Sequence, residues 1–491
     1  MPVRELNRNQ TWLLPPTLDE LIPDDHPVRF VATVVDNLDK EVWEKLDVEL
    51  GGDPLGAPAY NPRGLLSVWL YGFMTRTRSS RKLEAACRDQ MPYLWLTAWQ
   101  HPDHNTLWRF YKAHRNEMRE LFKLTVTTAV KMGLVDMAVQ AVDGTKIAAN
   151  AAKERTYDRK QLGKLLERTD KAIQELEKEN KAGSDPAPVH LPEKLRRAEK
   201  LRSEVKAAIK ELEEDQKKRV NLTDSDANLM KSRHGIIAGY NVEAVASPLK
   251  TEEGEPKRVL MTAVDAVRDA ADSYQLVPML EQAEETMGKK AEVTLADAGF
   301  HSSANLAVCE ERKQSVVMPE RQNRELQNPY HKDKFIYDEA NDSYLCPQGQ
   351  TLRFVGKKLA RNTMMRCYLG SAAICRKCVA FGACTRNRRH GRGLQIGEHE
   401  WVLRRHREWM CTNEAQKAYE RRKELIEAPF GIIKEVMGIR QFLLRGWTNV
   451  RAEAITMATA LNLRTLYAVW RSWSFGKRGE FSRAIRGYAG Q

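Results

Sequence analysis

Cysteine is scarce in this chain, eight among 491 residues, which excludes a disulfide scaffold of the kind that holds small secreted domains together. No apolar run approaches the ~20 residues that a membrane-spanning helix needs, so no membrane partner is expected. The opening Met1-Pro2-Val3-Arg4-Glu5 carries an acid within five residues and no apolar segment. It therefore does not read as a secretory signal, and a cytoplasmic location is the expectation. A glycine loop able to cradle phosphates is also missing, so nucleotide-driven chemistry is not indicated. His104 and His234 have no companions at metal-binding or nucleophile-activating spacing. Between residues 152 and 220 aromatics nearly vanish.

Basic charge is abundant. The net charge is +13 with a pI near 9.2, and the excess is spread along the chain rather than kept in one tail. Such a surface favours a polyanion, because neutralising phosphates releases counterions. A chain this long is expected to divide into two to four structural units.

Residues 1–133 read as a helical N-terminal domain. Apolar residues recur at three and four over His26–Leu38, Pro62–Thr75 and Ser80–Cys87, and Asn61-Pro62 supplies a cap followed by a proline at the first helical position. Pro102–Phe110 opens a further helix. Short basic helices of this kind can present one of their number to a DNA groove, or can simply pack together. Residues 152–220 are densely charged, with Leu162, Leu166, Thr169, Ile173 and Leu176 at 4-3-4-3 spacing. Leu195, Ala198, Val205, Ile209 and Leu212 fit the same frame, broken at Arg202. With the breaker Ala182–Pro188 between the two halves, a helical-hairpin insertion is expected, serving as a dimerisation or DNA-reaching arm or as a solvated spacer.

Strand patterns occupy residues 134–142, Tyr240–Ala246, Val259–Asp265, Val293–Asp297 and Ser315–Met318, with helices over Asp272–Met287 and Ser303–Arg312. Strand, strand, strand, helix, strand, helix, strand is the order of an α/β ribonuclease-H-like mixed sheet, in which the first and fourth strands are neighbours. That core would comprise residues 134–151 and 221–319. A small cysteine-containing β-rich insertion is expected over 320–400, with a hairpin turn at Asn341-Asp342. Helices over 401–473 would complete the core, and 474–491 would be a loose basic tail.

Two of these strands close on an acid and then a glycine: Asp143-Gly144, and Asp297-Ala298-Gly299. Either Asp143 merely opens a turn, or the two aspartates meet at the sheet rim. A third acid, Glu427, shares a helical face with Tyr419, Lys423, Phe430 and Lys434, although Pro429 must disturb that helix. Phosphodiester chemistry by two Mg²⁺ ions about 4 Å apart needs such a set, since hard divalent ions prefer carboxylate oxygen. Asp265, Asp269 and Asp272 are alternatives to Asp297, though Asp272 is also well placed to cap a helix.

Several runs resemble bacterial insertion-sequence transposases of the DDE class, which have a ribonuclease-H-like catalytic core. They are Ser79–Glu84, Pro102–Thr106, Asp143–Ala151, Gly239-Tyr240-Asn241 and Ala296–Phe300, with Tyr60–Arg63 a weaker likeness. The resemblance spans about Leu21 to Tyr467. It implies that Asp143, Asp297 and Glu427 are catalytic acids holding two Mg²⁺ or Mn²⁺ ions, and that double-stranded DNA, transposon ends and target, is the partner of a homodimer or larger assembly. Lys146, Tyr419, Arg422, Lys423 and Lys434 would contact that DNA. Related transposases place Tyr, Arg, Glu and Lys with gaps of two, three and six. Here Tyr419-x2-Arg422-x4-Glu427-x6-Lys434 is one residue too long in the middle, so either Lys423 replaces the arginine or the helix is distorted. The implied activity is cleavage and strand transfer at terminal inverted repeats; a nuclease without joining, or an inactive DNA-binding repressor of transposition, are the other readings.

Five cysteines fall between residues 346 and 384. Cys346, Cys375-x2-Cys378 and Cys384 make a four-thiol set suited to structural Zn²⁺, with Cys367 a substitute. The alternative is reduced cysteines in a small insert. The basic run Arg386, Arg388, Arg389, His390, Arg392 follows directly and would suit phosphate.

Overall fold

The computed structural model describes residues 16–51, 58–182, 193–233, 235–250, 257–320, 327–360 and 363–486. The first residues, with the opening Met1–Glu5, and His234 lie outside these.

Among the described residues, seven helices come first: α1 (Pro27–Asp36), α2 (Lys40–Lys45), α3 (Pro62–Met74), α4 (Ser80–Asp89), α5 (Met91–Leu96), α6 (His104–His114) and α7 (Arg119–Lys131). Their starts follow from local chemistry. Asn61 accepts the Arg63 N–H ahead of Pro62, and Asp103 accepts the Thr106 N–H ahead of α6, each satisfying a donor that the first turn leaves unpaired. Every residue of α3 from Leu65 to Met74 is buried.

Strand β1 (Val139–Ala148) comes next. The small strand β2 (Thr156–Asp158) leads into helices α8 (Arg159–Ala182) and α9 (Glu193–Glu214), and β3 (Arg219–Asn221) pairs antiparallel with β2 to close the base of this hairpin. Leu162, Val205, Ala208, Leu212 and Val220 form a core of its own. Most of the expected breaker, from Gly183 on, lies outside the described residues.

The main sheet continues with β4 (Asn228–Ser232), β5 (Gly235–Pro248) and β6 (Val259–Val267), then helix α10 (Leu276–Met287), β7 (Val293–Leu295), helix α11 (Ser303–Glu311) and β8 (Ser315–Val317). Its order is β4-β5-β1-β7-β8, with β6 also on the β5 edge. β1 runs antiparallel to β5 and parallel to β7, and β7 is parallel to β8. The expected strand over 134–142 is displaced: β1 begins at Val139 and passes through Asp143 to Ala148. Asp143-Gly144 is therefore no turn. The reason lies in the partner strand, where Asp143 pairs with Ala244 and Gly144 with Glu243. A Cβ on Gly144 would sit 2.8 Å from both Glu243 carboxylate oxygens, so glycine answers to close approach within the sheet.

A second, antiparallel sheet follows, β9 (Ile336–Asp338), β10 (Ser343–Leu345), β11 (Thr351–Ala360), β12 (Thr363–Gly370) and, after the short helix α12 (Ala372–Lys377), β13 (Gly393–Gly397). It packs on six residues, Phe335, Tyr344, Leu352, Tyr368, Leu394 and Ile396. The chain ends in α13 (Glu400–Met410), α14 (Asn413–Glu420), a π turn over Lys423–Glu427, α15 (Ala428–Gly431), a second π turn over Ile432–Val436, α16 (Trp447–Trp470) and α17 (Phe475–Arg486). The long α16 packs on α3, α7 and β6, and one continuous core runs from Ile22 to Ile485. The tail expected to be loose is thus helical up to Arg486, because Phe481 and Ile485, one turn apart, are buried. Phe481 stacks on Phe30 of α1 at 5.5 Å. Residues 487–491 lie outside the described part.

Candidate active site

The parallel ladder between β1 and β7 sets the site. Ala141 pairs with Leu295, the last residue of β7, and Asp143 and Asp297 each lie two residues beyond that pair. The two acids come level where β1 loses its parallel neighbour. Asp297 turns back to accept the Gly299 N–H at 2.6 Å. A Cβ on Gly299 would meet Asp297 Oδ1 at 2.7 Å and Asp272 Oδ2 at 3.0 Å, so this glycine lets two carboxylates crowd together.

The third acid arrives on the π turn, which lies against β1 and β5. Arg422, buried just before it, puts Nη2 2.7 Å from Asp143 Oδ2 and Nη1 3.6 Å from Glu427 Oε1. A π turn bonds i to i+5, so residues five apart face the same way. The extra residue between Arg422 and Glu427 is absorbed there. Of the two readings of the long gap, the helix is distorted and Arg422 faces the acids, while Lys423 is exposed. Tyr419 lies in the same field: burial raises its phenol pKa, opposed by Arg422 and reinforced by the charges of Asp297, Asp143 and Glu427.

Burial pushes the Asp143 carboxyl up to about 6, against the pull of Arg422 and with a further push from Asp297; the Gly144 N–H lowers it and Asp272 raises it. Burial therefore outweighs what the one guanidinium restores. Beneath it, the wholly buried Glu243 is raised well above the usual carboxylate range, first by burial and then by Asp272. Asn241 Nδ2 donates to Glu243 and, at 2.7 Å, to Asp272 Oδ1, which also receives Lys146 Nζ at 2.7 Å.

Three of the five residues expected to face DNA are thus engaged inside the protein. Lys146 is held by Asp272 and Arg422 by Asp143. Lys434 donates to Thr145 Oγ1 at 2.5 Å, its ammonium pKa lowered first by burial and then by Arg233 and Arg440. Lys423 is exposed and Tyr419 half-buried. Among the alternatives to Asp297, Asp265 is spent on Arg451, whose Nε and Nη2 each lie 2.7 Å from it, and Asp269 is exposed. Asp272 does not cap α10 with its side chain but points into the site. Asp272, Glu243 and Asn241 were not expected together there. The signal was present in Gly239-Tyr240-Asn241 and in Lys146, but without the pairing of β1 with β5 it had no address.

Among the described residues no three His, Cys, Asp or Glu side chains are already gathered as a metal ligand set; around Asp143 and Glu427 the guanidinium of Arg422 links the acids instead. The donors nonetheless suit a hard cation, being carboxylate oxygens alone, with an Asp143 that needs nearby positive charge to ionise. The cysteines lie elsewhere. Cys346, Cys375, Cys378 and Cys384 line one cavity, from which Cys367 is absent, and all eight cysteines are free thiols. In the basic run beside them Arg386, Arg388, Arg389 and His390 are exposed, while Arg392 donates to the Cys384 and Tyr330 carbonyls.

The runs at Ser79–Glu84 and Pro102–Thr106 do packing work. His104 Nδ1 meets Glu84 Oε2 at 2.6 Å, joining α4 to α6, and neither residue is near the acids by any contact described.

Two family models match this chain. One, described as Transposase DDE domain, covers residues 345–467 and so includes the four cysteines, Tyr419, Arg422, Glu427 and Lys434. The other, described as Transposase domain (DUF772), covers residues 16–113, the helices α1 to α6. Asp143 and Asp297 lie between the two matched stretches. No match was found among curated proteins, and no described helix is long and apolar enough to cross a membrane.

Proposed function

From its matches to the Transposase DDE domain and to the Transposase domain (DUF772), we propose that the chain is an insertion-sequence DDE transposase that binds the terminal inverted repeats of a mobile element and catalyses metal-dependent cleavage and strand transfer of their DNA. The supporting observation is the convergence of Asp143, Asp297 and Glu427, separated by more than a hundred residues at each step, around Arg422 at the end of a parallel strand pair. The order β6-β5-β1-β7-β8, with β1 against β7, is the one expected of a ribonuclease-H-like core and supports that reading. On this reading the hairpin α8–α9 and the β9–β13 sheet are insertions into it, and the N-terminal helices meet DNA.

DDE transposases use divalent metal ions, and Asp143, Asp297 and Glu427 are the residues that would hold two Mg²⁺ or Mn²⁺. Bound there, such ions would activate the attacking oxygen and stabilise the leaving one. Arg422 keeps Asp143 and Glu427 in place before then. The Lys146–Asp272–Asn241–Glu243 network fixes β1 against β5 from behind, so that Asp143 is held in one orientation. Lys423, free of such ties and exposed beside the acids, would meet the phosphate backbone. Two or more copies would act together in the cytoplasm, since two ends must be joined.

The test is cleavage of labelled end DNA with Mg²⁺ by the wild type and by Asp143→Ala. Strand-transfer products from the wild type and none from the variant are expected. Equal activity of the two, or no cleavage by either, overturns the proposal, and cleavage without joined products reduces it to a nuclease.

A further inference from the structure

The β9–β13 sheet is thinly supported. It spans residues 336–397 on a core of six side chains, and modules this small commonly need a metal or a crosslink to hold one conformation. Disulfides do not supply it, since its cysteines are all free.

Four of them are nevertheless brought to one place from two separate turns. Cys346 follows β10, at the turn into β11, while Cys375, Cys378 and Cys384 come from the connection between β12 and β13. All four line a cavity of ≈ 30 Å³, walled by Leu352, Ile374, Ala380 and Phe381.

The first turn is shaped around its sulfur. Gly349, at φ +71°, donates its N–H to the Cys346 carbonyl at 2.8 Å, and Gln350 aims its own N–H at Cys346 Sγ at 3.3 Å. A backbone N–H aimed at sulfur is the kind of outer hydrogen bond that orients a metal-binding cysteine. In the second turn Cys378 N–H bonds back to the Cys375 carbonyl at 3.2 Å, which keeps the Cys-x2-Cys pair on one short bend.

We infer that Cys346, Cys375, Cys378 and Cys384 are the ligands of a structural zinc ion that ties the β10–β11 turn to the β12–β13 connection. The chemistry fits: four thiolates are a set that zinc takes tetrahedrally, and a closed site has no position for substrate. No three of the sulfurs are yet gathered as a ligand set, so binding draws them inward across the cavity, and the thiol protons leave to solvent. The ion would then hold the exposed Arg386, Arg388 and Arg389 on a fixed loop.

Zinc content of the full chain, purified without added metal, is the first measurement, with about one equivalent per chain expected. Asp143→Ala and Cys367→Ser should keep that zinc, and Cys378→Ser should lose it. Because Cys378→Ser can fail to fold, Co²⁺ uptake by the reduced, metal-stripped wild type gives an independent reading, through the intense thiolate-to-cobalt absorption of a tetrahedral all-sulfur site. Zinc lost in Asp143→Ala, zinc kept in Cys378→Ser, or no thiolate band with Co²⁺ each overturns the assignment. None of these readings depends on DNA cleavage.

Discussion

At the scale of single residues, Asp143 carries a cost that the proposed metal site would explain. Its carboxyl is raised from 3.8 to about 6, so the folded chain holds that proton more tightly than the unfolded one. The associated stability is complete below pH 4 and is lost as pH climbs through 6, amounting to about 3 kcal/mol at most. Asp143→Asn should therefore melt higher than the wild type at pH 7.5 without metal, and the gap should close as pH falls from 6 to 4. Adding Mg²⁺ should raise the melting temperature of the wild type alone. A gap that is unchanged between pH 4 and 7.5 would show that this acid is not strained. The lysines divide in a similar way. Lys423 is exposed, whereas Lys146 is neutralised by Asp272 at 2.7 Å. Titrating end-DNA affinity against salt should show a log–log slope shallower by about 1 for Lys423→Ala. For Lys146→Ala the slope should stay unchanged while cleavage falls.

Among the elements, the π turn decides whether Arg422 and Glu427 face each other. Deleting Lys423 leaves them four apart, which an ordinary α-helix also places on one face. Adding an alanine after Arg422 makes the separation six, which neither helix type aligns. The deletion should keep cleavage within about tenfold of wild type and the insertion should lose a hundredfold or more, with circular dichroism confirming that both are folded; equal losses would remove the π turn from the account. This element also marks how far the sequence could be read. The surplus residue before Glu427 was visible as a misfit, but its resolution depends on how the helix meets β1 and β5. Helix starts at Asn61 and Asp103 were legible because caps are local. The strands β5, β6, β7 and β8 were legible because each carries its own apolar pattern, whereas β4 (Asn228–Ser232), with little of one, was not expected. Asp143-Gly144 misled for the opposite reason: the glycine serves Glu243, a hundred residues away in sequence, and Asp-Gly alone reads as a turn. For Asp272 the choice between a place in the site and a helix cap stayed open on the same grounds, since its partners Lys146 and Asn241 reach it only through sheet pairing.

For the whole molecule, the question is which parts stand or fall together. The N-terminal helices, the main sheet and the C-terminal helices share one core through α16, and Phe481 near the far end of the chain stacks on Phe30 near its beginning. The hairpin α8–α9 instead packs on its own residues above the two-stranded β2–β3 base. Damage should spread in the first case and stay local in the second. Phe481→Ala, at a side chain 1% exposed, should cost about 3 kcal/mol and lower the main melting transition, even though no contact described joins it to the acids. Replacing residues 159–218 with a short Gly-Ser linker should leave that transition within a few degrees, because the core loses none of its own side chains. Calorimetry of the two variants beside the wild type checks both halves. A wild-type main transition in Phe481→Ala would mean that α17 is not part of the shared core, and a collapse in the linker variant would mean that the hairpin supports the sheet after all. If both expectations hold, the hairpin is available for a role on DNA or between subunits, and the same linker protein can then be assayed for end binding and cleavage without the confusion of a failing fold.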